Sequence, residues 1–317
     1  WLIKADANGN ELWNKTFGGN GDQGGEDVHQ TSDGGYIIIG EEKTLSENRD
    51  FLLIKVDLNG TEQWNKIFTN NGNQFPYSVQ QTTDGGYILQ GWGLSPQTNS
   101  DDIWLIKTDS DGNELWAKTF GGNDAEFGWS VQQTSDGGYI FSAERGESFS
   151  DSDIWLVKTD SDGNESWSKT FGESNIDEDA WFVQQTTDGG YIITGETDAL
   201  GNANILLIKT DNNGNEQWNK TVGASGSFGS QIRQTSDGGY IIVGSIMNVW
   251  PDTDILLVKT DAGGNEQWSR TFGGSNYEDG HSVKPTIDGG YIISGTTASF
   301  GNGEQIYIIK TDANGNL

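Results

Sequence analysis

Cysteine is missing from this 317-residue chain, and proline, histidine and methionine are scarce, with four, two and one copies. Without cysteine there is no disulfide scaffold, no thiolate-bound zinc and no thiol nucleophile. The two histidines, His29 and His281, have no metal-binding spacing. Cations are few as well: 18 Lys and Arg stand against 47 Asp and Glu, a formal net charge of −29. No basic stripe is available to neutralise phosphates, so nucleic acid and anionic membrane surfaces are poor partners. Divalent cations, a salty medium or plain solubility fit the charge better. No stretch approaches the ~18 apolar residues of a membrane-crossing helix, so no membrane insertion is expected.

What the chain has instead is glycine, 46 residues of it, and a repeat. Asp-Gly-Gly-Tyr returns at Asp33, Asp84, Asp136, Asp188, Asp237 and Asp288. A tryptophan keeps the same interval at Trp13, Trp64, Trp116, Trp167, Trp218 and Trp268. One period near fifty residues along the whole length means an array of one supersecondary unit. The cations follow it too. Lys4, Lys55, Lys107, Lys158, Lys209, Lys259 and Lys310 recur in an Ile/Val-Lys position, and Lys15, Lys66, Lys118, Lys169, Lys220 and Arg270 follow the tryptophan by two. Only Lys43, Arg49, Arg145, Arg233 and Lys284 stand outside the framework.

Each repeat reads as four short strands. In the copy from Ser130, Ser-Val-Gln-Gln-Thr and Tyr139-Ile-Phe flank a Ser-Asp-Gly-Gly turn. After a polar loop, Ile154-Trp-Leu-Val-Lys and Ser166-Trp-Ser-Lys-Thr-Phe flank Asp160-Ser-Asp-Gly-Asn. Asp-Gly between β-favouring runs is the strongest short-range hairpin signal. The second and third strands are apolar at consecutive positions, which predicts burial on both faces. Four-stranded antiparallel sheets repeated radially make a β-propeller. The expectation is therefore an all-β, six-bladed propeller in one domain over 1–317, with seven blades as the alternative. Residues 1–17 are expected to complete the last blade, Glu11–Phe17 joining the C-terminal strands as their fourth and removing exposed edges. Trp1–Ala5 and Ile306–Thr311 then compete for one slot, so one is expected to be displaced or the chain to continue. The opening at Trp1, mid-motif and without Met, reads as a mature or excised segment. Sequons at Asn14, Asn59, Asn164 and Asn219 permit glycosylation if the protein is exported.

The run Asp-Gly-Gly-Tyr-Ile-Ile, then Leu-Ile-Lys-Thr-Asp-x-x-Gly-Asn-x-x-Trp, resembles the repeat of PQQ-like propellers and the SBBP-type propeller repeats of secreted archaeal and bacterial surface proteins. The Asp-x-x-Gly-x-x-x-Trp core is intact in six copies, from Asp6-Gly9-Trp13 to Asp261-Gly264-Trp268. The resemblance implies that Trp13, Trp64, Trp116, Trp167, Trp218 and Trp268 dock one blade on the next, with the Gly turn making room. It also implies an extracellular or cell-surface scaffold. Quinoprotein chemistry does not carry over, since this chain has no cysteine pair and too few repeats.

Several chemical readings compete with bland ones. The turns Asp109-Asp111-Asn113, Asp160-Asp162-Asn164 and Asp211-Asn213-Asn215 echo the start of a calcium loop, because Ca²⁺ takes oxygen ligands at alternate positions. Their Gly comes too early and no glutamate closes the loop, so self-bonded hairpin turns are the leading expectation, with weak Ca²⁺ binding as the alternative. No other cofactor is expected. Gly19-x-Gly21-x-x-Gly24 matches a dinucleotide fingerprint, but no helix follows to face a pyrophosphate. The four arginines fall at unrelated repeat positions and no Ser nucleophile motif is present, so catalysis is not expected, although an acid pair of glycosidase type is not ruled out by counting. The most informative position varies between copies. Two residues before the recurring Val/Ile of the first strand stand Glu26, Tyr77, Trp129, Trp181, Ser230 and His281. The loops between second and third strands add Trp92, Arg145, Phe149 and Trp250. An aromatic rim decorated with acids suits a glycan or a peptide; the alternative is that these rings plug loop–blade junctions. The expected role is a monomeric, non-catalytic binding or scaffold module for a glycan or protein at a cell surface, the alternatives being a passive envelope domain and a glycoside-active enzyme.

Overall fold

A computed structural model describes residues 1–19, 22–43, 48–70, 72–146, 152–173, 176–198, 203–249 and 252–317. Among the described residues there is no helix. A first hairpin pairs β1 (Leu2–Ala5) with β2 (Glu11–Lys15). Blade one is β3 (Gln23–Gln30), β4 (Tyr36–Lys43), β5 (Arg49–Val56) and β6 (Glu62–Phe68). Blade two is β7 (Gln74–Gln81), β8 (Tyr87–Leu94), β9 (Asp101–Thr108) and β10 (Glu114–Phe120). Blade three is β11 (Ala125–Gln133), β12 (Tyr139–Gly146), β13 (Ser152–Thr159) and β14 (Glu165–Phe171). Blade four is β15 (Glu178–Gln185), β16 (Tyr191–Thr197), β17 (Asn204–Thr210) and β18 (Glu216–Val222). Blade five is β19 (Ser227–Gln234), β20 (Tyr240–Val249), β21 (Asp252–Thr260) and β22 (Glu266–Phe272), and blade six is β23 (Glu278–Pro285), β24 (Tyr291–Thr297) and β25 (Gln305–Thr311). The fold is thus a six-bladed β-propeller in which five blades are complete four-stranded sheets and the sixth has three strands in the same order.

The consecutive apolar residues of second and third strands explain the burial. In blade one Ile37, Ile39 and Leu53 are fully buried in a cluster with Val79, Tyr87 and Leu89 of blade two. Leu52, Ile54 and Val56 face the other way, against Leu2 and Phe17 of the first hairpin. The same arrangement recurs between blades four and five and between five and six. Each fully buried Ile or Leu contributes about 1.5–3 kcal/mol, which makes blade-to-blade faces the main source of stability.

The expected closure differs in one detail. Glu11–Phe17 was assigned as the fourth strand of the last blade, but β2 is hydrogen-bonded to β1, with Lys4 opposite Trp13 as Lys55 is opposite Trp64. Neither duplicate is displaced: β1 keeps β2, and β25 keeps β24. The physical reason is local. The Asp6 turn closes this hairpin through Asp6 N–H to Asn10 O at 2.9 Å and Gly9 N–H to Asp6 O at 3.1 Å, and a short loop costs little closure entropy. Ile306 and Ile308 of β25 stay 48% and 49% exposed, whereas their counterparts Ile255 and Leu257 are fully buried.

Two compact units divide the chain, Trp1–Ser148 with Val157–Ser166, and Phe149–Leu156 with Trp167–Leu317. In both, the tight turns gather at one end of the strands and the longer loops at the other. The turn end is uniform. In blade two Lys107 is buried and donates to Asp84 of the Asp-Gly-Gly-Tyr turn at 2.9 Å and to the Thr108 carbonyl at 2.8 Å. The pair recurs at Lys55–Asp33, Lys158–Asp136, Lys209–Asp188, Lys259–Asp237 and Lys310–Asp288. Hydrogen bonds from Thr31 and Lys55 hold Asp33 down to about 2.

Candidate functional site

The loop end is where the copies differ, and the difference has a backbone cause. In every blade the register between first and second strands shifts by one residue at the variable position: between Gly25 and Asp27, Pro76 and Ser78, Gly128 and Ser130, Ala180 and Phe182, Gly229 and Gln231, and Gly280 and Ser282. Glu26, Tyr77, Trp129, Trp181, Ser230 and His281 are therefore the extra residues of six β-bulges. A bulged residue has no ladder partner and its side chain is re-aimed, so chemistry changes there without disturbing the sheet.

In the first unit this position builds an aromatic patch. Tyr77 meets Trp129 edge-on with ring centroids 4.5 Å apart and lies parallel to Trp92 at 6.4 Å. Trp92 packs on Phe75, its cross-strand partner, at 4.3 Å and on Phe127 of blade three at 4.7 Å. All five rings are half-buried. Carboxylates surround them. Glu41 of blade one and Glu144 of blade three occupy the second-strand position that Trp92 holds in blade two. Glu26, at the blade-one bulge, is exposed; a methyl at Gly24 would meet Glu41 at 3.3 Å and Glu26 at 3.5 Å, so the two acids crowd one spot. Arg49 donates through Nη1 to both Glu41 oxygens at 2.7 Å and lies 5.5 Å from the Phe75 ring centre. Burial, and then the charges of Glu26, Glu41 and Glu144, push the Tyr77 hydroxyl up from its ordinary value.

The second unit fills the equivalent positions differently. Asp179 and Glu196 are cross-strand partners. Burial, then the hydrogen bond to Asp179 and its charge, push Glu196 up to about 8. Burial also raises Asp179, and Ser152 donates to Asp177. The two carboxyls are hydrogen-bonded to each other, closer than the roughly 5–9.5 Å that separates the carboxyls of a glycosidase. Trp181 at the blade-four bulge is half-buried. Exposed His281 places Nε2 3.2 Å from the Thr296 hydroxyl, and Tyr277 donates to Asp279 at 3.0 Å.

The remaining expected sites fall elsewhere. Trp250 and Phe149 lie outside the described residues. Arg145 on β12 pairs with fully buried Glu126 at 3.0 Å. Asp109 Oδ1 accepts from the Asp111 and Asn113 N–H groups at 2.9 and 2.8 Å, and Oδ2 from the Asn113 amide at 2.9 Å. Asp160 does the same with Asp162 and Asn164. Both carboxylate oxygens thus accept hydrogen bonds inside their own turn, as a self-bonded hairpin turn does. Among the described residues no group of three or more His, Asp or Glu could hold a metal ion. The framework tryptophans sit on the following blade: Trp64 lies 5.8 Å from Tyr87, and Trp116 5.8 Å from Tyr139. A Cβ on Gly112 would lie 2.7 Å from Trp64, and one on Gly163 2.7 Å from Trp116. Trp13, Trp167, Trp218 and Trp268 stand likewise over Gly60, Gly214, Gly264 and Gly315.

Sequence reasoning missed Phe75, Phe127, Asp179, Glu41, Glu144 and Glu196. For Glu41, Glu144 and Glu196 a signal is present: aligned on the Tyr of each copy, the fifth residue onward reads Glu41, Trp92, Glu144, Glu196, Ser245 and Thr296, a position that varies between copies.

No protein-family model and no curated protein matches the chain. Solved structures do, as folds. A protein of unknown function from Dyadobacter fermentans is 12% identical over 92% of this chain and 95% of its own, with a TM-score of 0.64. The subtype N11 neuraminidase-like protein of a flat-faced bat isolate (H18N11) is 11% identical over 95% and 94%, with a TM-score of 0.56. The endo-arabinase from Bacteroides thetaiotaomicron is 15% identical over 92% and 95%, with a TM-score of 0.52. At these identities the likeness shows the β-propeller fold alone.

Proposed function

We propose that this propeller is a non-catalytic binding module of an exported or cell-surface protein, and that the loop end of its first unit holds a glycan. The observation that carries the reading is the patch of five half-buried rings at and around the bulges of blades two and three. Grouped on bulges, with exposed Glu26 beside them, they offer ring faces on which the apolar faces of sugar rings can stack. The resemblance of the repeat to PQQ-like and SBBP-type surface propellers supports a scaffold without its own chemistry.

A glycan array tests this, with wild type beside Trp129→Ala and Trp181→Ala. Binding by wild type that disappears in Trp129→Ala, while the variant stays folded with a melting temperature only a few degrees lower, supports the site; a wild type that binds no glycan sinks it.

A further inference from the structure

The first unit's patch is aromatic and strongly negative at once. Glu26, Glu41 and Glu144 all act on the Tyr77 hydroxyl. The nearby cations are already paired: Arg49, inside the patch, gives Nη1 to both oxygens of Glu41 and offsets that charge, and Arg145 is paired with Glu126, which leaves Glu26 as the exposed acid. Glu26 makes no ion pair among the described residues. The protein packed around its carboxyl, and then the charge of Glu41, raise it from its ordinary value, while Arg49 opposes them. The hydroxyls of a neutral sugar can donate to a carboxylate, but an ammonium makes charge-assisted hydrogen bonds about twice as strong as neutral ones, and an anionic ligand would be repelled. An ammonium would be attracted both by the carboxylates and by the ring faces.

We propose that this patch takes a glycan carrying free amino groups, of the glucosamine type, with a sugar face on Trp129 and Tyr77 and an ammonium paired by Glu26. The proposal rests on the glycan reading above and narrows it by charge. Glu26 suits the role because a bulged residue has no ladder duty and stays in reach of solvent. Glu41 and Glu144 set the field, and Arg49 holds Glu41 in place.

The test is calorimetric titration with three tetrasaccharides: β-linked glucosamine, the same chain fully N-acetylated, and the corresponding neutral glucose chain. A lysine-rich peptide serves as a fourth probe. The glucosamine chain should bind at least about tenfold more tightly than the acetylated one, and the preference should shrink as salt is added. Glu26→Gln should cut the preference to within about threefold, with the loss falling mainly on the glucosamine chain. Trp129→Ala should weaken both. Equal binding of all three sugars would overturn the charge selection and leave the glycan reading standing. Binding of the peptide alone, lost in Glu26→Gln, would overturn the sugar class and the glycan reading together, as would a wild type that binds none of the four. Unchanged far-UV circular dichroism of both variants separates lost contacts from lost fold.

Discussion

Trp116 and Trp129 are both half-buried tryptophans of the first unit, and they serve opposite ends of a blade. Trp116 covers Gly163 and the edge of Tyr139, in an arrangement found again at Trp13, Trp64, Trp167, Trp218 and Trp268. Trp129 stands on a bulge beside Tyr77, where the other copies carry Glu26, Trp181, Ser230 or His281. The turn end repeats because every element there locks another: a buried Lys needs its Asp, and the tryptophan needs a residue without Cβ. The loop end varies because a bulge has no partner to satisfy. Stability and the proposed recognition are therefore housed in different residues of the same type.

The largest expected effect breaks that contrast directly. Trp116→Ala should cost about 3 kcal/mol, as truncation of a packed tryptophan does. Trp129→Ala should cost about 1 kcal/mol, the worth of its ring pair with Tyr77. Urea unfolding of both variants checks this, and equal losses would mean that Trp129 is a structural plug and not a platform.

A smaller effect sharpens the role of the turn glycines. Gly163 and Gly137 both have positive φ, 75° and 87°, but a Cβ on Gly163 would lie 2.7 Å from the Trp116 ring while one on Gly137 meets nothing within 4 Å. Gly137→Ala should cost about 1 kcal/mol of backbone strain, and Gly163→Ala about 2 kcal/mol more, because the ring must move. In a Trp116→Ala background that surplus should vanish.

How much of this was legible follows from the same division. The strand pattern, both turns and the tryptophan–glycine pairing recur in every copy, so periodicity exposed them. Tyr77 and Trp129 were visible as departures from the repeat at one position. Phe75 and Phe127 were not, because recognising them needs the cross-strand register, which the bulge shifts by one residue. Glu11–Phe17 was assigned to the last blade on the logic of strand counting; the local Asp6 turn and the packing of Leu2 and Phe17 on blade one placed it with β1 instead. Counting strands predicts which pairings are available, not which is reached over the shortest loop.

The subtlest expected effect compares one repeat position between two blades. Glu178 and Glu278 both sit at the start of a first strand and are buried. Burial would raise Glu278, but hydrogen bonds from Thr297 at 2.6 Å, Ser299 N–H at 3.1 Å and Gly274 N–H at 2.7 Å outweigh it and hold it below its ordinary value. Glu178 has only long contacts, from Glu173 N–H at 3.3 Å and Thr197 at 3.4 Å, so burial pushes it up to about 7. The signs are opposite. Glu178 is raised, so its ionisation costs stability progressively as pH rises from about 4.5 to about 7; Glu278 is lowered, so its contribution is present above about 4.5 and lost as pH falls below it. Glu178→Gln should therefore melt a few degrees higher than wild type at pH 8 and alike at pH 4.5, whereas Glu278→Gln should melt lower at pH 7. Blade two already carries Gln74 at this position, buried, so the amide fits. A Glu178→Gln variant whose melting temperature tracks wild type from pH 5 to pH 8 would show that the carboxyl ionises without cost, and that long hydrogen bonds suffice where Glu278 uses short ones.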